Sequence, residues 1–293
     1  MVRLSDSPIQ PVTWSQAEKY GVTIDIKRDD LIHPIVTGNK WRKLKYLLMD
    51  AQNKKCRQIV SMGGNWSNHL HALAFAGNSL GIKTRAFVRA HQNQALTPTL
   101  RDCQRWGMTL QFCTRSDYEL LRKDSHWARW QNRFPDSYWI GEGGFSELAI
   151  QGVSDMSREV QEAYDYIFTG CGSGATLCGL ARAFPETRIV GVAAFSGAEY
   201  LKSEIQAYLG KLTNWFLDTK HHCGGFAKSS ELLLKLQSEL ESKNEFRLDT
   251  VYNTKTFLAL NSWIEEGYIT KSNKVLVIHT GGLQGERVTP TDK

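Results

Sequence analysis

Asp165-Tyr166-Ile167-Phe168-Thr169-Gly170-Cys171-Gly172-Ser173-Gly174-Ala175-Thr176 is a short apolar run that breaks into a glycine-rich turn and then into a helical pattern. A brief apolar run closed by glycines reads as a buried strand, and the periodic residues of 176–183 read as a helix. The same unit recurs along the chain. Strands are expected at Gln58–Met62, Thr84–Val88, Thr109–Cys113, Ser137–Ile140, Asp165–Phe168, Arg188–Ala194 and Lys274–Ile278. Helices are expected near 41–52, 67–77, 98–106, 117–133, 147–163, 176–183, 198–209, 229–241 and 254–266. Strands alternating with helices imply parallel sheets with helices on both faces, so the fold class is α/β. Ligands of such sheets bind beyond the carboxyl ends of the strands. The turns after Met62 and after Phe168 both fall at that edge.

The 293 residues make one large or two modest domains. A hydrophobic share of 41% and a charged share of 23% are those of a globular protein. The net charge of +6 is spread without a dense Lys/Arg block, which reads as a solvated basic surface suited to anionic ligands and not as a nucleic-acid footprint. The six cysteines form no C-x-x-C pair, which reads as reduced thiols. No apolar leader and no run of about 18 apolar residues is present, so a cytoplasmic protein without membrane contact is expected. No repeat, low-complexity stretch or Pro/Gly/Ser-rich linker marks a boundary. His69-x-His71 and His221-His222 lack a partner set, so no metal site is expected.

Three segments carry chemistry. In the loop 169–176 the glycines let backbone N–H groups turn toward an anion, and the dipole of the following helix adds attraction. Ser173 and Thr176 offer hydroxyls there. The loop is no Walker motif, for no Gly-Lys-Ser/Thr follows. It loosely fits G-x-G-x-x-A through Gly170, Gly172 and Ala175, but a dinucleotide fold places an acid at the end of the next strand. That strand ends Ala193-Ala194-Phe195-Ser196, which favours a single phosphate over NAD. A purely structural turn is the alternative. In Thr37-Gly38-Asn39-Lys40-Trp41-Arg42-Lys43-Leu44, Lys40 opens a helix whose Leu44, Leu47 and Leu48 face inward, with Asn39 as the expected N-cap. The positive helix end helps keep the amine neutral. The alternative is an ordinary surface lysine. A positioned amine and a phosphate cradle together suggest a Schiff base with a phosphorylated aldehyde, pyridoxal phosphate. Gly63-Gly64-Asn65-Trp66-Ser67-Asn68-His69 is either a carboxylate or phenolate site or a helix start capped by Ser67 or Asn68. Two further elements follow: His279-Thr280-Gly281-Gly282, where a side chain can point at a bound ring and His279 by itself reads as a satisfied structural histidine, and Val251-Tyr252-Asn253, whose aromatic either stacks on a cofactor ring or simply packs.

In chain order, Lys27-Arg28-Asp29-Asp30, the segment from Gly38 to Leu44, Gly64-Asn65-Trp66-Ser67-Asn68-His69, the loop 170–176, Tyr252 and His279-Thr280-Gly281-Gly282 resemble the family of 1-aminocyclopropane-1-carboxylate deaminases and D-cysteine desulfhydrases. The resemblance implies a tryptophan-synthase-β-like fold, with two doubly wound α/β domains and pyridoxal 5'-phosphate in the cleft between them. The large cofactor domain would be 1–45 with 155–293, the small domain 46–154. It further implies a homodimer. By the same resemblance Lys40 is the Schiff-base lysine, Asn68 the partner of the cofactor's ring oxygen, and Tyr252 the stacking ring. Gly172, Ser173, Gly174, Ala175 and Thr176 are the phosphate cradle, and Thr280 faces the pyridine nitrogen. Ser67, with Asn68 and His69, is the substrate-carboxylate site; Lys40, Ser67 and Tyr252 are the implied catalytic residues.

Three departures bear on the substrate. Gly224-Gly225-Phe226-Ala227-Lys228 has Phe226 where the family has a tyrosine at the substrate. Asn253 stands where cyclopropane deaminases carry a glutamate, and Leu283-Gln284-Gly285 replaces the usual continuation. Neutral Asn253 and Thr280 favour an unprotonated ring nitrogen, and hence α,β-elimination of a small amino acid, with D-cysteine the leading substrate. Opening of the cyclopropane is the alternative. A NAD(P)-dependent dehydrogenase and a basic nucleic-acid-binding protein are the alternatives of other classes.

Overall fold

The structure, a computed structural model, describes residues 4–91 and 95–287. Ten strands lie among them: β1 (Ile9–Pro11), β2 (Thr23–Lys27), β3 (Gln58–Gly64), β4 (Lys83–Arg89), β5 (Thr109–Cys113), β6 (Ser137–Trp139), β7 (Tyr166–Cys171), β8 (Arg188–Ala193), β9 (Trp215–Asp218) and β10 (Lys274–Ile278). They build a six-stranded sheet in the order β1-β2-β10-β7-β8-β9 and a four-stranded sheet in the order β5-β4-β3-β6. Every pairing is parallel except that of β1 with β2.

Both sheets carry apolar side chains on both faces, which is why each is wrapped on two sides. One face of the large sheet packs Ile278 and Ile189 against Ile150, Leu177 and Ile205. The other packs Val277 and Val190 against Leu240, Phe257 and Leu260. In the small sheet, Ile59 and Val88 meet Leu44, Leu70 and Leu73. Phe87 and Met62 face Tyr118 and Leu121 across the other side. The expected doubly wound α/β class is present. Among the described residues no helix is long and apolar enough to cross a membrane, and no metal-binding cluster of His, Cys, Asp or Glu occurs.

Two expected helices are shorter than their periodicity suggests. The segment 117–133 breaks into Arg115–Leu121, a tight turn at Asp124–His126 and Ala128–Gln131. The Trp127 indole N–H takes the Leu121 carbonyl at 2.7 Å, a partner that a continuing helix would have used. The segment 147–163 stops at Ser154, whose hydroxyl is 3.0 Å from both the Ile150 and the Gly179 carbonyls. β1, β2, β9 and the helix Ser15–Tyr20 were not foreseen.

A partly buried ionic knot fixes where the helix Asn39–Asn53 begins. The Arg42 guanidinium forks onto Asp29 at 2.6 and 2.7 Å and onto Glu159 at 2.7 and 2.8 Å. Lys27, at the end of β2, reaches the same Glu159 at 2.7 Å. Burial alone would raise the Glu159 pKa, but Arg42 and Lys27 outweigh it and hold the carboxyl down at about 2. Arg42→Met strands a fully buried Asp29 without its cation and should cost about 3–5 kcal/mol in denaturant unfolding. The Glu159 share of stability is complete above the ordinary carboxylate range. It should fade as pH falls from about 4.5 toward about 2, where the folded carboxyl protonates. Thermal melting across that interval measures it, and the Glu159→Gln variant should show a shallower dependence.

Candidate active site

Lys40 lies at the carboxyl edge of both sheets because of an unusual helix start. The cap is Gly38 and not Asn39 as expected from the sequence, for Asn39 is already helical. Gly38 has φ +60°, and a Cβ there would lie 1.9 Å from the Thr280 carbonyl oxygen. Only glycine lets the chain pass this close to the end of β10. Asn39 is freed for another task. Its Nδ2 donates to Thr176 Oγ1 at 2.9 Å and its Oδ1 accepts from Lys40 Nζ at 2.5 Å. Lys40 is half-buried. Burial, and then the nearby Lys43 ammonium, pull its pKa down to about 7 against the opposite pull of Asp249.

Lys43 was missed by the sequence reading. It sits one helical turn beyond Lys40, buried, with Nζ 3.5 Å from Ser173 Oγ. Burial lowers it to about 8. The i, i+3 spacing of two lysines on an inward face was the available signal.

The loop that Lys43 faces joins β7 to the helix Ala175–Ala183. The N–H groups of Ser173, Ala175 and Thr176 have no acceptor among the described residues. Gly172 and Ser173 are half-buried, whereas Gly174, Ala175 and Thr176 are buried. A Cβ added at Gly172 would sit 3.3 Å from the Tyr252 hydroxyl, so a side chain there would crowd the ring.

Tyr252 precedes the helix Asn253–Glu265. Asp249 accepts from the N–H groups of Val251, Tyr252 and Asn253 at 3.0, 2.8 and 3.1 Å, which pins that helix start. The Asn253 amide bridges inward. Its Nδ2 donates to Asp249 and, at 2.7 Å, to the Gly281 carbonyl. Its Oδ1 accepts from Thr280 N–H at 2.9 Å and from the Thr280 hydroxyl at 3.2 Å. His279 is structural: Gly281 N–H donates to Nδ1 at 3.2 Å and Nε2 reaches the Arg247 carbonyl at 2.6 Å. Phe226 lies at the rim, half exposed, its ring 6.1 Å from Tyr252 in edge-to-face contact.

Ser67 caps the helix Asn68–Leu80, its Oγ accepting from Leu70 N–H at 3.2 Å. The His69 side chain is buried and turns toward Ser61 of β3. Ser61 Oγ donates to the Ile140 carbonyl, so it must accept from His69 Nε2 at 2.9 Å. Nδ1 is then a bare acceptor, buried with no partner. Burial, with Lys40 and Lys43, lowers this pKa to about 3 and keeps the ring neutral. Asn68 Oδ1 accepts from Gln284 of the opposite segment.

The structure therefore brings Lys40, Ser173, Thr176, Tyr252, Asn253 and Thr280 to one cleft edge, with Phe226 at its rim and Asn68 tied in through Gln284. A half-buried amine of lowered pKa, a loop of unpaired N–H groups with Lys43 above it, and a flanking tyrosine fit a phosphorylated aldehyde. The loop and Lys43 would hold its phosphate, and Lys40 its carbonyl carbon.

Comparison with known proteins points the same way. Residues 6–281 match the family model described as pyridoxal-phosphate dependent enzyme. A putative 1-aminocyclopropane-1-carboxylate deaminase of Thermotoga maritima is 28% identical, covering 92% of this chain and 91% of that protein. A bifunctional D-cysteine desulfhydrase/1-aminocyclopropane-1-carboxylate deaminase of Arabidopsis thaliana is 24% identical over 90% and 73%. A D-cysteine desulfhydrase of Salmonella newport is 25% identical over 89% and 87%. The crystal structure of an ACC deaminase homologue, 24% identical, superposes with a TM-score of 0.84 over 97% of this chain and 92% of that one.

The depressed lysine is testable without any cofactor. Competitive acetylation of the apo-protein should label Lys40 with a midpoint near pH 7, while exposed lysines follow the ordinary value of 10.5. A Lys43→Met variant should raise the Lys40 midpoint, because it removes the neighbouring positive charge.

Proposed function

The chain belongs to the pyridoxal-phosphate dependent enzyme family, and we propose that it carries out α,β-elimination on a small amino acid, with D-cysteine as the leading substrate and pyruvate, ammonia and sulfide as products. When bound, pyridoxal phosphate supplies the electron sink that stabilises negative charge at the substrate α-carbon. Lys40 Nζ takes the α-proton. A pKa of about 7 leaves much of this amine unprotonated at neutral pH, the form a general base requires. Ser67, with the N–H groups of Asn68 and His69, orients the substrate carboxylate at a helix start. Gly172, Ser173, Gly174, Ala175 and Thr176 hold the phosphate with Lys43, Tyr252 packs on the ring, and Phe226 shapes the substrate's outer edge.

The observation that carries the choice of reaction is the neutral pair Asn253–Thr280. The carboxylate of this corner, Asp249, is turned onto three backbone N–H groups and onto the Asn253 amide. The residues at the corner are then an amide and a hydroxyl, which do not hold a proton on a ring nitrogen as a carboxylate does. Expulsion of a thiolate tolerates that weaker sink, because the leaving group carries the charge away. Opening of a cyclopropane makes the greater demand.

The same reading takes 1–45 with 155–293 as the cofactor domain and 46–154 as the small domain, which the two separate sheets support. It takes the protein as a cytoplasmic homodimer. A sedimentation experiment at micromolar concentration should give the mass of two chains. A reading as a dehydrogenase or as a nucleic-acid-binding protein has no support in the site.

Pyruvate, sulfide and 2-oxobutyrate should be assayed with D-cysteine, L-cysteine, β-chloro-D-alanine and 1-aminocyclopropane-1-carboxylate. Pyruvate and sulfide from D-cysteine are expected; 2-oxobutyrate from the cyclopropane with D-cysteine inert would reverse the assignment. Lys40→Ala should lower turnover by about 10²–10⁴-fold with the fold intact. Borohydride reduction of the holoenzyme followed by peptide mapping should tag Lys40.

A further inference from the structure

The segment Leu283–Glu286, just past the end of β10, crosses to the small domain and grips it with side chains. Gln284 Nε2 donates to Asn68 Oδ1 and, at 3.4 Å, faces the Trp66 carbonyl. Gln284 Oε1 accepts from the Thr99 hydroxyl at 2.7 Å and from Arg287 Nη2 at 3.0 Å. Arg287 Nη1 is in turn ion-paired with Asp102 at 2.6 Å, and its Nε holds the Gln284 carbonyl at 2.9 Å.

This chain of contacts has a direction. Arg287 carries donors only. Held by Asp102, it can meet Gln284 solely through the glutamine's oxygen. That places the Gln284 amide nitrogen toward Asn68, so Asn68 must answer with its own oxygen. The Asn68 Nδ2 is what remains, and it has no acceptor among the described residues. An isolated asparagine has no preference between its two amide orientations. Here the orientation is decided two contacts away, by the guanidinium of the docked segment.

We propose that the Arg287–Gln284 pair is a positioning device that locks Asn68 with its N–H donor turned to the cofactor's ring oxygen, and that it does so only while the segment 283–287 is docked on the small domain. The proposal rests on the reading of Asn68 as the ring-oxygen partner. It adds to that reading a residue of this chain's own, in the stretch where the sequence departs from its family. Contact between the two domains thereby becomes a condition for the donor. With the segment lifted, Asn68 is free to turn its oxygen inward, which would destabilise an anionic ring oxygen.

The test is a pH titration of the visible absorption band of the holoenzyme, which reads the ionisation of the bound cofactor and not turnover. Gln284→Glu keeps size and keeps the Arg287 contact, but its carboxylate can only accept, so it turns the Asn68 amide round. The spectral midpoint should rise by about one pH unit or more, as expected when an oxyanion loses a hydrogen-bond donor. Asn68→Ala should raise it too, and Gln284→Glu placed on Asn68→Ala should add nothing further. A midpoint that moves in Asn68→Ala but not in Gln284→Glu overturns the proposal and leaves the reading of Asn68 standing. An unmoved midpoint in Asn68→Ala sinks that reading and the proposal together. Should Gln284→Glu fail to fold, Gln284→Met, which neither donates nor accepts, must move the midpoint in the same direction or the proposal fails.

Discussion

The close passage of Gly38 beneath the Thr280 carbonyl is the contact on which the rest of the site depends. It brings the start of the lysine-bearing helix against the end of β10 with no side chain between them. A methyl group in that gap would push the two segments apart by more than the length of a hydrogen bond's tolerance. Asp29 reinforces the same contact twice: its carbonyl accepts from Gly38 N–H at 2.9 Å, and its carboxylate anchors Arg42. A backbone approach and a buried ion pair thus hold one residue, Lys40, from both sides of its helix turn.

From that point the contacts close into a ring. Lys40 touches Asn39, and Asn39 touches Thr176 at the far end of the glycine-rich loop. The loop lies against Tyr252, the next residue Asn253 binds Thr280, and Thr280 returns to Gly38. Apart from Lys40–Asn39, which lies within one helix, the links join different elements. Displacing any one of them moves Lys40 relative to the loop 172–176, so packing holds the two in one arrangement.

Much of this was legible in the sequence because glycines and short apolar runs are local signals. β5 and β10 have the ends expected of them, and the loop after β7 opens a helix as its glycines suggest. The residues that escaped are those whose meaning lies in a partner far along the chain. Arg42 and Asp29 look like ordinary surface charges until the fold buries them together. Asn39 looks like a cap because the sequence cannot show that Gly38 alone fits under Thr280. Lys43 and Gln284 act on Ser173 and Asn68, partners 130 and 216 residues away that no local pattern identifies. β2 is only five residues long, and it is recognisable chiefly by its pairing with β10.

That last pairing bears on how the protein comes into being. β2 aligns Thr23 with Lys274, about 250 residues later, and it occupies the place beside β10 in the middle of the large sheet. During vectorial synthesis β1 and β2 emerge first and pair with each other, but the second edge of β2 has no partner until β10 leaves the ribosome. Contacts of such separation form slowly, since a long loop must close before they contribute. The nascent chain therefore exposes an unpaired strand edge for nearly the whole of its translation, and the cofactor has no complete site to enter until the end. Maturation of this enzyme is bound to be a late event, set by the arrival of one short strand.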